Sequence, residues 1–496
     1  MSSANRLQSN SSILGFSADN LPTKLFINNE FISAKSQETL SLFNPKDNSL
    51  VSDKVPVAGR EDVDAAVAAA EAALPAWKAV AASERRDIML NFASLLEQHA
   101  ELTRITLGAP YLAFGRFEIN LCAEAFRYNA GWIDKFAGEA YPQENGFMRI
   151  TRHEPLGVTA GIVPWNGPLG TVGLKAAPAL ATGNCFILKP SEKTPFAALA
   201  LGGLIQEAGF PPGVFQVLSG AGQTGALLAS HQRIRKVSFT GSISTGKLIQ
   251  KMAAESNLKR VTLELGGKSP AVVFNDCNLD NAITWCVNAI TANTGQVCFA
   301  ASRVYVQEGI LEEFTNRYKA ALEERAKAIS DPDDNTTLMG PLVDEAQFQR
   351  VTGFIERGVL SHQGTLLTGG KRVGEKGCFI QPTVFTGVAP DAELYRNEIF
   401  GPVSILNSFK TEEEVIKKAN ASEYGLMAGV FTQDINKALR VASEFESGMV
   451  GINCVSLTFL NTPFGGSKQS GLGRECGRNA LEHFTEPKTI MVNLTY

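Results

Sequence analysis

The sequence predicts an α/β fold in which mainly parallel sheets are covered by helices. From Cys185 onward, short apolar segments typical of strands alternate with amphipathic segments typical of helices. The same alternation resumes after residue 270, which indicates a second α/β unit. The chain has 496 residues, of which 44% are hydrophobic, enough for two or three domains with large cores.

Periodicity predicts the elements of the first unit. Apolar residues recur at three- and four-residue spacing from about residue 60, and a second helical segment starts at Ser83. Thr194 is expected to cap a helix that begins at Pro195 and stops at Gly209. Two further helices are predicted to start near residues 223 and 245. The predicted strands are 158–163, 185–189, 214–218, 234–239 and 261–265.

Composition favours a small-molecule partner. The net charge is -4 without a long basic run, which argues against binding to nucleic acid or to a membrane surface. The eight cysteines form no CxxC pair and the five histidines show no ligand spacing, so we expect a reducing compartment, the cytoplasm, and no metal. No window approaches the roughly 20 apolar residues of a membrane span. Residues 1–20, rich in Ser and Asn, are predicted to be a disordered or loosely attached tail.

Two glycine-containing turns between a strand and a helix are candidate dinucleotide sites. Residues 220–225 match the GxGxxG pattern, but the acid expected about twenty residues later is missing, and tight packing explains these glycines equally well. In the second turn, Phe239 ends a strand, and Gly241, Ser242 and Gly246 accompany the start of a helix. The free N–H groups of its first turn suit a pyrophosphate, although an ordinary N-cap serine is the alternative.

Acidic and basic side chains near predicted loops suit the rest of a dinucleotide. Lys189, Ser191 and Glu192 follow a strand at the edge where open sheets bind ligands. Glu192 would repel a ribose 2'-phosphate, which favours NAD and disfavours NADP. Glu398 offers a carboxylate for ribose and Phe400 a ring for a flat cofactor. Solvated turns and loops explain these residues as well.

Three residues are candidates for catalysis. Cys298 lies where glycine and polar residues interrupt a helical pattern, so its thiol can face a cavity; a thiol needs a nearby base or a lowered pKa to react. Glu264 ends an apolar strand, where burial would raise its pKa and make it a usable base. Asn166 can donate its amide to an oxyanion. The ordinary alternatives are an inert core cysteine, a carboxylate that pairs with Lys268, and a turn-forming asparagine.

Seven motifs in this order resemble the aldehyde dehydrogenase superfamily, and the resemblance covers nearly the whole chain from about residue 24. The motifs are Pro164 to Asn166, Lys189 to Glu192, Phe239 to Ser242, Glu264 to Lys268, Gly295 to Cys298, Glu398 to Pro402 and Pro463 to Gly466. The resemblance implies a Rossmann-like NAD-binding domain at 21–136 and 156–266, an α/β catalytic domain at 267–464, and a small β oligomerisation ribbon at 137–155 and 480–496. It also implies a homodimer or homotetramer.

The resemblance assigns a reaction to these residues. Cys298 would attack the aldehyde carbon, the Asn166 amide and the Cys298 N–H would hold the oxyanion, and Glu264 would activate the water that hydrolyses the thioester to an acid. It moves Gly222 and Gly225 to the adenine side. The implied NAD-binding set is Ile162, Pro164, Trp165, Lys189, Ser191, Glu192, Gly222, Gly225, Phe239, Gly241, Ser242, Gly246, Leu265, Glu398 and Phe400.

The implied substrate tunnel is wide. Four residues after Asn166 are small or aliphatic where acetaldehyde-oxidising relatives place Phe and Trp among their tunnel residues. The implied tunnel set is Gly167, Gly170, Thr171, Leu174, Ala292, Val297, Phe299, Thr458 and Phe464. This pattern is similar to the salicylaldehyde and vanillin dehydrogenase branch, so we expect a bulky aromatic or terpenoid aldehyde as substrate.

Three alternatives remain open from the sequence. A coenzyme-A-acylating relative would pass the thioester to a thiol, but that branch generally lacks the base at Glu264. A semialdehyde dehydrogenase would need a basic group in the tunnel, and none aligns there. A non-catalytic structural protein of the crystallin type would not need Cys298, Glu264 and Asn166 together.

Overall fold

The computed structural model describes residues 20–105 and 108–495, so the tail expected at residues 1–20 lies outside the described residues apart from Asn20. Its strands, in chain order, are β1 Leu25–Ile27, β2 Glu30–Ile32, β3 Thr39–Phe43, β4 Leu50–Pro56, β5 Glu139–Glu144, β6 Phe147–Pro155, β7 Val158–Ile162, β8 Cys185–Lys189, β9 Phe215–Val217, β10 Lys236–Thr240, β11 Arg260–Glu264, β12 Pro270–Val273, β13 Arg303–Gln307, β14 Thr365–Thr368, β15 Thr383–Thr386, β16 Val403–Phe409, β17 Tyr424–Gly425, β18 Met427–Phe431, β19 Met449–Ile452, β20 Ser467–Lys468, β21 Gly471–Leu472 and β22 Thr485–Asn493.

The α-helices, in chain order, are α1 Arg60–Ala79, α2 Ala82–Gln98, α3 Arg116–Ala130, α4 Gly170–Ala181, α5 Phe196–Ala208, α6 Gly222–Ser230, α7 Ile243–Ser256, α8 Leu279–Thr291, α9 Leu311–Ala326, α10 Glu345–Leu360, α11 Glu393–Arg396, α12 Glu412–Asn420, α13 Ile435–Glu444 and α14 Gly477–Glu482. Short helical turns cover Ala100–Ile105, Tyr111–Gly115, Ala292–Gly295 and Glu308–Ile310. Within the described ranges, no helix is both long enough and apolar enough to cross a membrane.

The first sheet has eight strands in the order β2-β1-β9-β8-β7-β10-β11-β21. Its five central strands, from β9 to β11, are parallel, and β7 and β8 are buried along their whole length. Strands buried on both faces read as continuous apolar runs, which is why the sequence predicted them. The carboxyl ends of β7, β8, β10 and β11 lie side by side at one edge.

The second sheet has seven strands in the order β14-β15-β16-β13-β12-β18-β19. Neighbouring strands in it pair in parallel, except that β14 pairs with β15 in antiparallel fashion. Two apolar cores lie against it, one around Phe348 and Phe354 and the other around Ile290 and Phe314. The predicted second α/β unit is therefore present, and the α/β class is confirmed.

A separate three-stranded antiparallel ribbon has the order β22-β6-β5. Strands β22 and β6 pair without a register shift from Thr485 opposite Pro155 to Asn493 opposite Phe147. Met491 on β22 is 70% exposed, so the ribbon presents apolar surface to solvent.

The start of α5 corrects one expectation from the sequence. The helix begins at Phe196, and Pro195 occupies the cap position without a side-chain hydrogen bond. Thr194 does not cap the helix, because its backbone N–H closes a turn onto the carbonyl of Ser191 at 3.2 Å and its hydroxyl has no hydrogen-bond partner in the described part of the chain.

Candidate active site

The turn before Cys298 is backbone-strained. Helix α8 ends at Thr291, and Asn293, Thr294 and Gly295 then take φ values of 45°, 56° and 71°. The left-handed region is rare for a β-branched residue such as Thr294. The buried Thr294 hydroxyl donates to the carbonyl of Gly340 at 2.8 Å, which helps to hold the turn in place.

Cys298 is half-buried in a small apolar cluster. Its neighbours there include Leu174, Phe299 and Phe464, and the rings of the two phenylalanines meet edge to face at 5.8 Å. Burial raises the pKa of the Cys298 thiol, and the negative charges of Glu398 and Glu264 raise it further. The resting group at neutral pH is therefore the thiol, which needs a base to become nucleophilic.

The side chain of Asn166 reaches the turn that carries Cys298. Its Nδ2 donates to the backbone carbonyl of Gln296 at 2.9 Å, across 130 positions of sequence. Asn166 follows β7 and Gln296 precedes Cys298 by two residues, so this bond joins the first unit to the second. The sequence predicted that Asn166 and Cys298 hold the same oxyanion. The structure brings the segments that carry these two residues into contact.

Glu264 ends β11 and is 4% exposed. Burial raises its pKa well above the usual range, the charge of Glu475 adds to this, and Lys175 and Arg474 act in the opposite direction. Its Oε2 has no hydrogen-bond partner within the described residues, and a Cβ built on Gly465 would lie 2.7 Å from Oε1. A buried carboxyl with a raised pKa is suited to general-base chemistry near neutrality.

The alternative pairing of Glu264 with Lys268 is absent. Lys268 is 1% exposed, and its Nζ has no hydrogen-bond partner in the part of the chain described. Burial lowers its pKa to about 7, the charge of Arg303 lowers it as well, and Glu398 opposes the shift. Lys268 therefore belongs to the surroundings of Glu398 and does not neutralise Glu264.

Glu398 lies against the Gly266 and Gly267 backbone, and Phe400 lies beside Trp165. Oε1 of Glu398 accepts the Gly267 N–H at 2.9 Å, and burial raises the pKa of this carboxyl to about 7. Phe400 has a φ of 62° and its ring meets that of Trp165 edge to face at 5.1 Å. A ring from the first unit therefore contacts a ring from the second, two residues after a buried carboxyl.

The other predicted dinucleotide residues lie along the carboxyl edge of the first sheet. Nζ of Lys189 lies 3.7 Å from Glu192, and Ser242 caps α7 by accepting the Thr245 N–H at 3.3 Å. A Cβ built on Gly222 would meet no atom of the described residues within 4 Å, so among them the space over the start of α6 is open. Open space at the start of a helix and a carboxylate that could accept hydrogen bonds from ribose hydroxyls fit NAD. Ile162, Pro164, Ser191, Gly225, Phe239, Gly241, Gly246 and Leu265 are buried or half-buried around this edge.

Three of the predicted tunnel residues share the apolar cluster of Cys298. Leu174, Phe299 and Phe464 lie with Cys298, while Ala292 is exposed and Thr171, Val297 and Thr458 are half-buried.

Gly170 does not widen the tunnel. A Cβ built on Gly170 would lie 2.9 Å from Oε1 of Glu118 and 3.0 Å from Cδ2 of Leu121, so side chains of α3 already fill that space. Gly167 is also close-packed, since its Cβ would lie 3.2 Å from Oγ1 of Thr171. These two glycines let α3 and the start of α4 pack closely.

The sequence did not predict a buried cluster of charges that acts on the pKa of Glu264. Nζ of Lys175 donates to the carboxylate of Glu475, 300 positions away, and to Oγ of Ser238 at 3.0 Å. The one visible signal was a single lysine within the apolar helix α4. Asn293, which lies in the turn that precedes Cys298, was not among the predicted site residues either.

The geometry of these elements defines a class of protein. A half-buried thiol, a buried carboxyl and helix amino termini at the carboxyl edge of a parallel sheet are typical of an enzyme that acts on a small molecule with a dinucleotide cofactor. In the described ranges, no group of three or more His, Cys, Asp or Glu side chains is placed to hold a metal ion.

Comparison with known proteins identifies the family. Residues 31–490 match the aldehyde dehydrogenase family. The chain is 45% identical over 482 residues to retinal dehydrogenase 2 of Homo sapiens, covering 95% of this chain and 92% of that protein. The NAD⁺ complex of an aldehyde dehydrogenase from Bacillus cereus is 42% identical, with a TM-score of 0.92 and coverage of 95% and 96%. The γ-glutamyl-γ-aminobutyraldehyde dehydrogenase of Burkholderia cenocepacia J2315 is 39% identical, with a TM-score of 0.93 and coverage of 99% of both chains.

The chain therefore belongs to the aldehyde dehydrogenase family and is an NAD-dependent oxidoreductase that converts aldehydes to carboxylic acids.

Proposed function

We propose that Cys298, Asn166 and Glu264 carry out the reaction. The Cys298 thiol gives its proton to a solvent water at this half-buried side chain, and the sulfur bonds to the aldehyde carbon. The electron pair of the C=O bond moves to the oxygen, which gives the thiohemiacetal oxyanion. The amide of Asn166 and the N–H of Cys298 donate to its oxygen. When bound, NAD supplies the hydride acceptor that leaves a thioester on Cys298. Glu264 then takes a proton from water, whose oxygen attacks the thioester, releasing the acid and the Cys298 thiolate.

The observation that carries this proposal is the 2.9 Å bond from Asn166 to the Gln296 carbonyl, which brings an amide donor to the turn of a half-buried cysteine. The test is NADH formation, followed at 340 nm, by the wild type and by Cys298→Ala. We expect no turnover by the variant and an unchanged circular dichroism spectrum. Full activity of Cys298→Ala would overturn the mechanism.

We propose a bulky aromatic or terpenoid aldehyde as the substrate. The apolar neighbours of Cys298 and the exposed Ala292 support it, and so does the name of the human relative, because retinal is a terpenoid aldehyde. Leu174 lies in the apolar cluster with Cys298. Leu174→Trp should fill space beside the thiol and lower kcat/KM for benzaldehyde and retinal by about tenfold or more, while acetaldehyde is little affected. Leu174→Met is the volume-matched control. Preference of the wild type for acetaldehyde over benzaldehyde would contradict the proposal.

We also propose that residues 21–136 and 156–266 bind NAD, that 267–464 form the catalytic domain, and that 137–155 and 480–496 join subunits into a dimer or tetramer. The exposed side chains of Tyr141, Phe147, Met148 and Met491 on the three ribbon strands support the last point. Light scattering should give two or four subunits, and Met491→Glu should lower that number. A monomeric wild type would contradict it.

A charged semialdehyde is the second candidate substrate, because one solved structure of 39% identity is named for a charged aldehyde. Transfer of the acyl group to coenzyme A is the second candidate reaction, and the buried Glu264 speaks against it. A higher rate of NADH formation with a charged aldehyde than with benzaldehyde would favour the first alternative. A rate that depends on added coenzyme A would favour the second.

A further inference from the structure

One side chain joins the two segments that supply the proposed oxyanion donors. Nδ2 of Asn293 donates to the backbone carbonyl of Asn166 at 3.1 Å and lies 3.5 Å from that of Gln296. The amide of Asn166 donates to the same Gln296 carbonyl at 2.9 Å. Asn293 therefore contacts the Asn166 loop from one side and the Cys298 turn from the other.

The geometry of this contact sets the direction of the Asn166 amide. An asparagine amide carries two N–H donors. One N–H of Asn166 is used on the Gln296 carbonyl, and this leaves the second for the oxygen of a substrate. The direction of that second N–H follows from the position of the Gln296 carbonyl, which Asn293 contacts.

The rest of the turn is held independently of this contact. Nε2 of Gln296 donates to the Asn293 carbonyl at 2.9 Å, and Oε1 of Gln296 accepts the Val343 N–H at 2.9 Å. The Thr294 hydroxyl bonds to Gly340. Loss of the Asn293 amide therefore removes its bonds to the Asn166 and Gln296 carbonyls, while the direct bond from Asn166 to Gln296 and the other bonds of the turn remain.

We propose that Asn293 is a positioning residue for aldehyde oxidation, and that it aligns the Asn166 amide with the Cys298 backbone N–H so that both face one substrate oxygen. This inference rests on the oxyanion role proposed for Asn166. The side chain does not touch the reacting atoms; it acts through the Asn166 loop.

Two substitutions separate the amide from the backbone conformation. Asn293 has φ 45° and ψ 36°, a conformation that Gly and Asp also adopt readily. Asn293→Gly keeps the turn and removes the amide. Asn293→Asp keeps the shape but replaces the donor with a carboxylate, which the two carbonyl oxygens repel. We expect kcat to fall about 10- to 100-fold in the Gly variant and further in the Asp variant, with little change in KM.

Alkylation of Cys298 by iodoacetamide provides the control, because this reaction of the thiol forms no oxyanion. Mass spectrometry of the Cys298 peptide measures its rate. We expect its rate in the Gly variant to stay within about twofold of wild type, because the thiol keeps its position and no charge is added near it. The Asp variant is compared in kcat alone, because its new carboxylate would raise the pKa of the thiol, as the charges of Glu398 and Glu264 do. An equal loss of alkylation and kcat, or a lowered Tm that accounts for the loss of activity, would show a structural role and overturn the proposal. Unchanged kcat in both variants would also overturn it.

A double-mutant cycle with Asn166→Ala distinguishes the two proposals. If Asn293 acts through Asn166, the double variant Asn166→Ala with Asn293→Gly should be no slower than Asn166→Ala alone. Additive losses would overturn the positioning role and leave the oxyanion role of Asn166 intact. If Asn166→Ala keeps the wild-type kcat, the oxyanion role itself falls, and the positioning role falls with it.

Discussion

The carboxylate of Glu475 raises the pKa of Glu264, although Glu475 is itself paired with Lys175 in the protein interior. The same Lys175 charge lowers the pKa of Glu264. The proposed base is therefore tuned by a buried ion pair that lies outside the seven motifs.

Glu475→Gln should move the acid limb of the activity profile to lower pH. The substitution removes a charge that raises the pKa of Glu264 and leaves the Lys175 charge, which lowers it, without compensation. Both changes lower the pKa, so the ionised base persists to lower pH. The measurement is the pH dependence of thioester hydrolysis in single turnovers.

Ser238→Ala is the matched control, because it removes a hydrogen bond from Lys175 without changing a charge. It should leave the limb in place. The Glu475 variant should also lose stability, on the order of 3 kcal/mol, since Lys175 loses its buried partner. A limb that stays fixed or moves to higher pH in Glu475→Gln would refute the coupling.

Glu264→Gln should stop the reaction after the thioester forms. One NADH should appear per active site, and steady turnover should fall about 10²- to 10⁴-fold, the usual contribution of a general base. Hydroxylamine attacks thioesters without needing this base, so adding it should restore turnover. Rapid-mixing absorbance at 340 nm measures both phases, and a steady-state rate equal to wild type would rule out Glu264 as the base.

The sequence predicted local features well and distant contacts poorly. Strand β8 was predicted to the residue, because a strand buried on both faces is a continuous apolar run between turns. The pairing of Lys175 with Glu475 spans 300 positions and leaves no local pattern. The contacts of Gly170 could not be predicted from the sequence either. The packing of Glu118 and Leu121 against it depends on how α3 docks on α4.

Gly266→Ala should weaken NAD binding. Gly266 has φ +84°, and a Cβ there would lie 2.5 and 2.6 Å from the two oxygens of Glu398. The methyl group should push that carboxyl away and raise KM for NAD. Gly374→Ala is the matched control, because it adds a Cβ at φ +73° with no atom within 4 Å in the described part of the chain. Both should lose about 1 kcal/mol of stability from backbone strain. Equal KM values for the two variants would show that Glu398 has no role in holding NAD.

The KM for NAD should rise as pH falls through 7. Burial raises the pKa of Glu398 to about 7, while the Gly267 N–H and the charge of Lys268 act in the opposite direction. If the ionised carboxylate accepts hydrogen bonds from ribose hydroxyls, its population falls about tenfold between pH 8 and pH 6, and KM should rise by a similar factor. Glu398→Gln should show a KM that does not vary with pH in this range.

Lys268→Met tests the direction in which the KM profile should shift in the same experiment. Removing the Lys268 charge takes away an influence that lowers the pKa of Glu398, so the rise in KM should begin at higher pH than in the wild type. Initial rates at varied NAD concentration from pH 6 to pH 8 measure all three proteins. A wild-type KM that stays flat across this range, or a rise in Lys268→Met that begins at lower pH, would mean that another group controls binding of the cofactor.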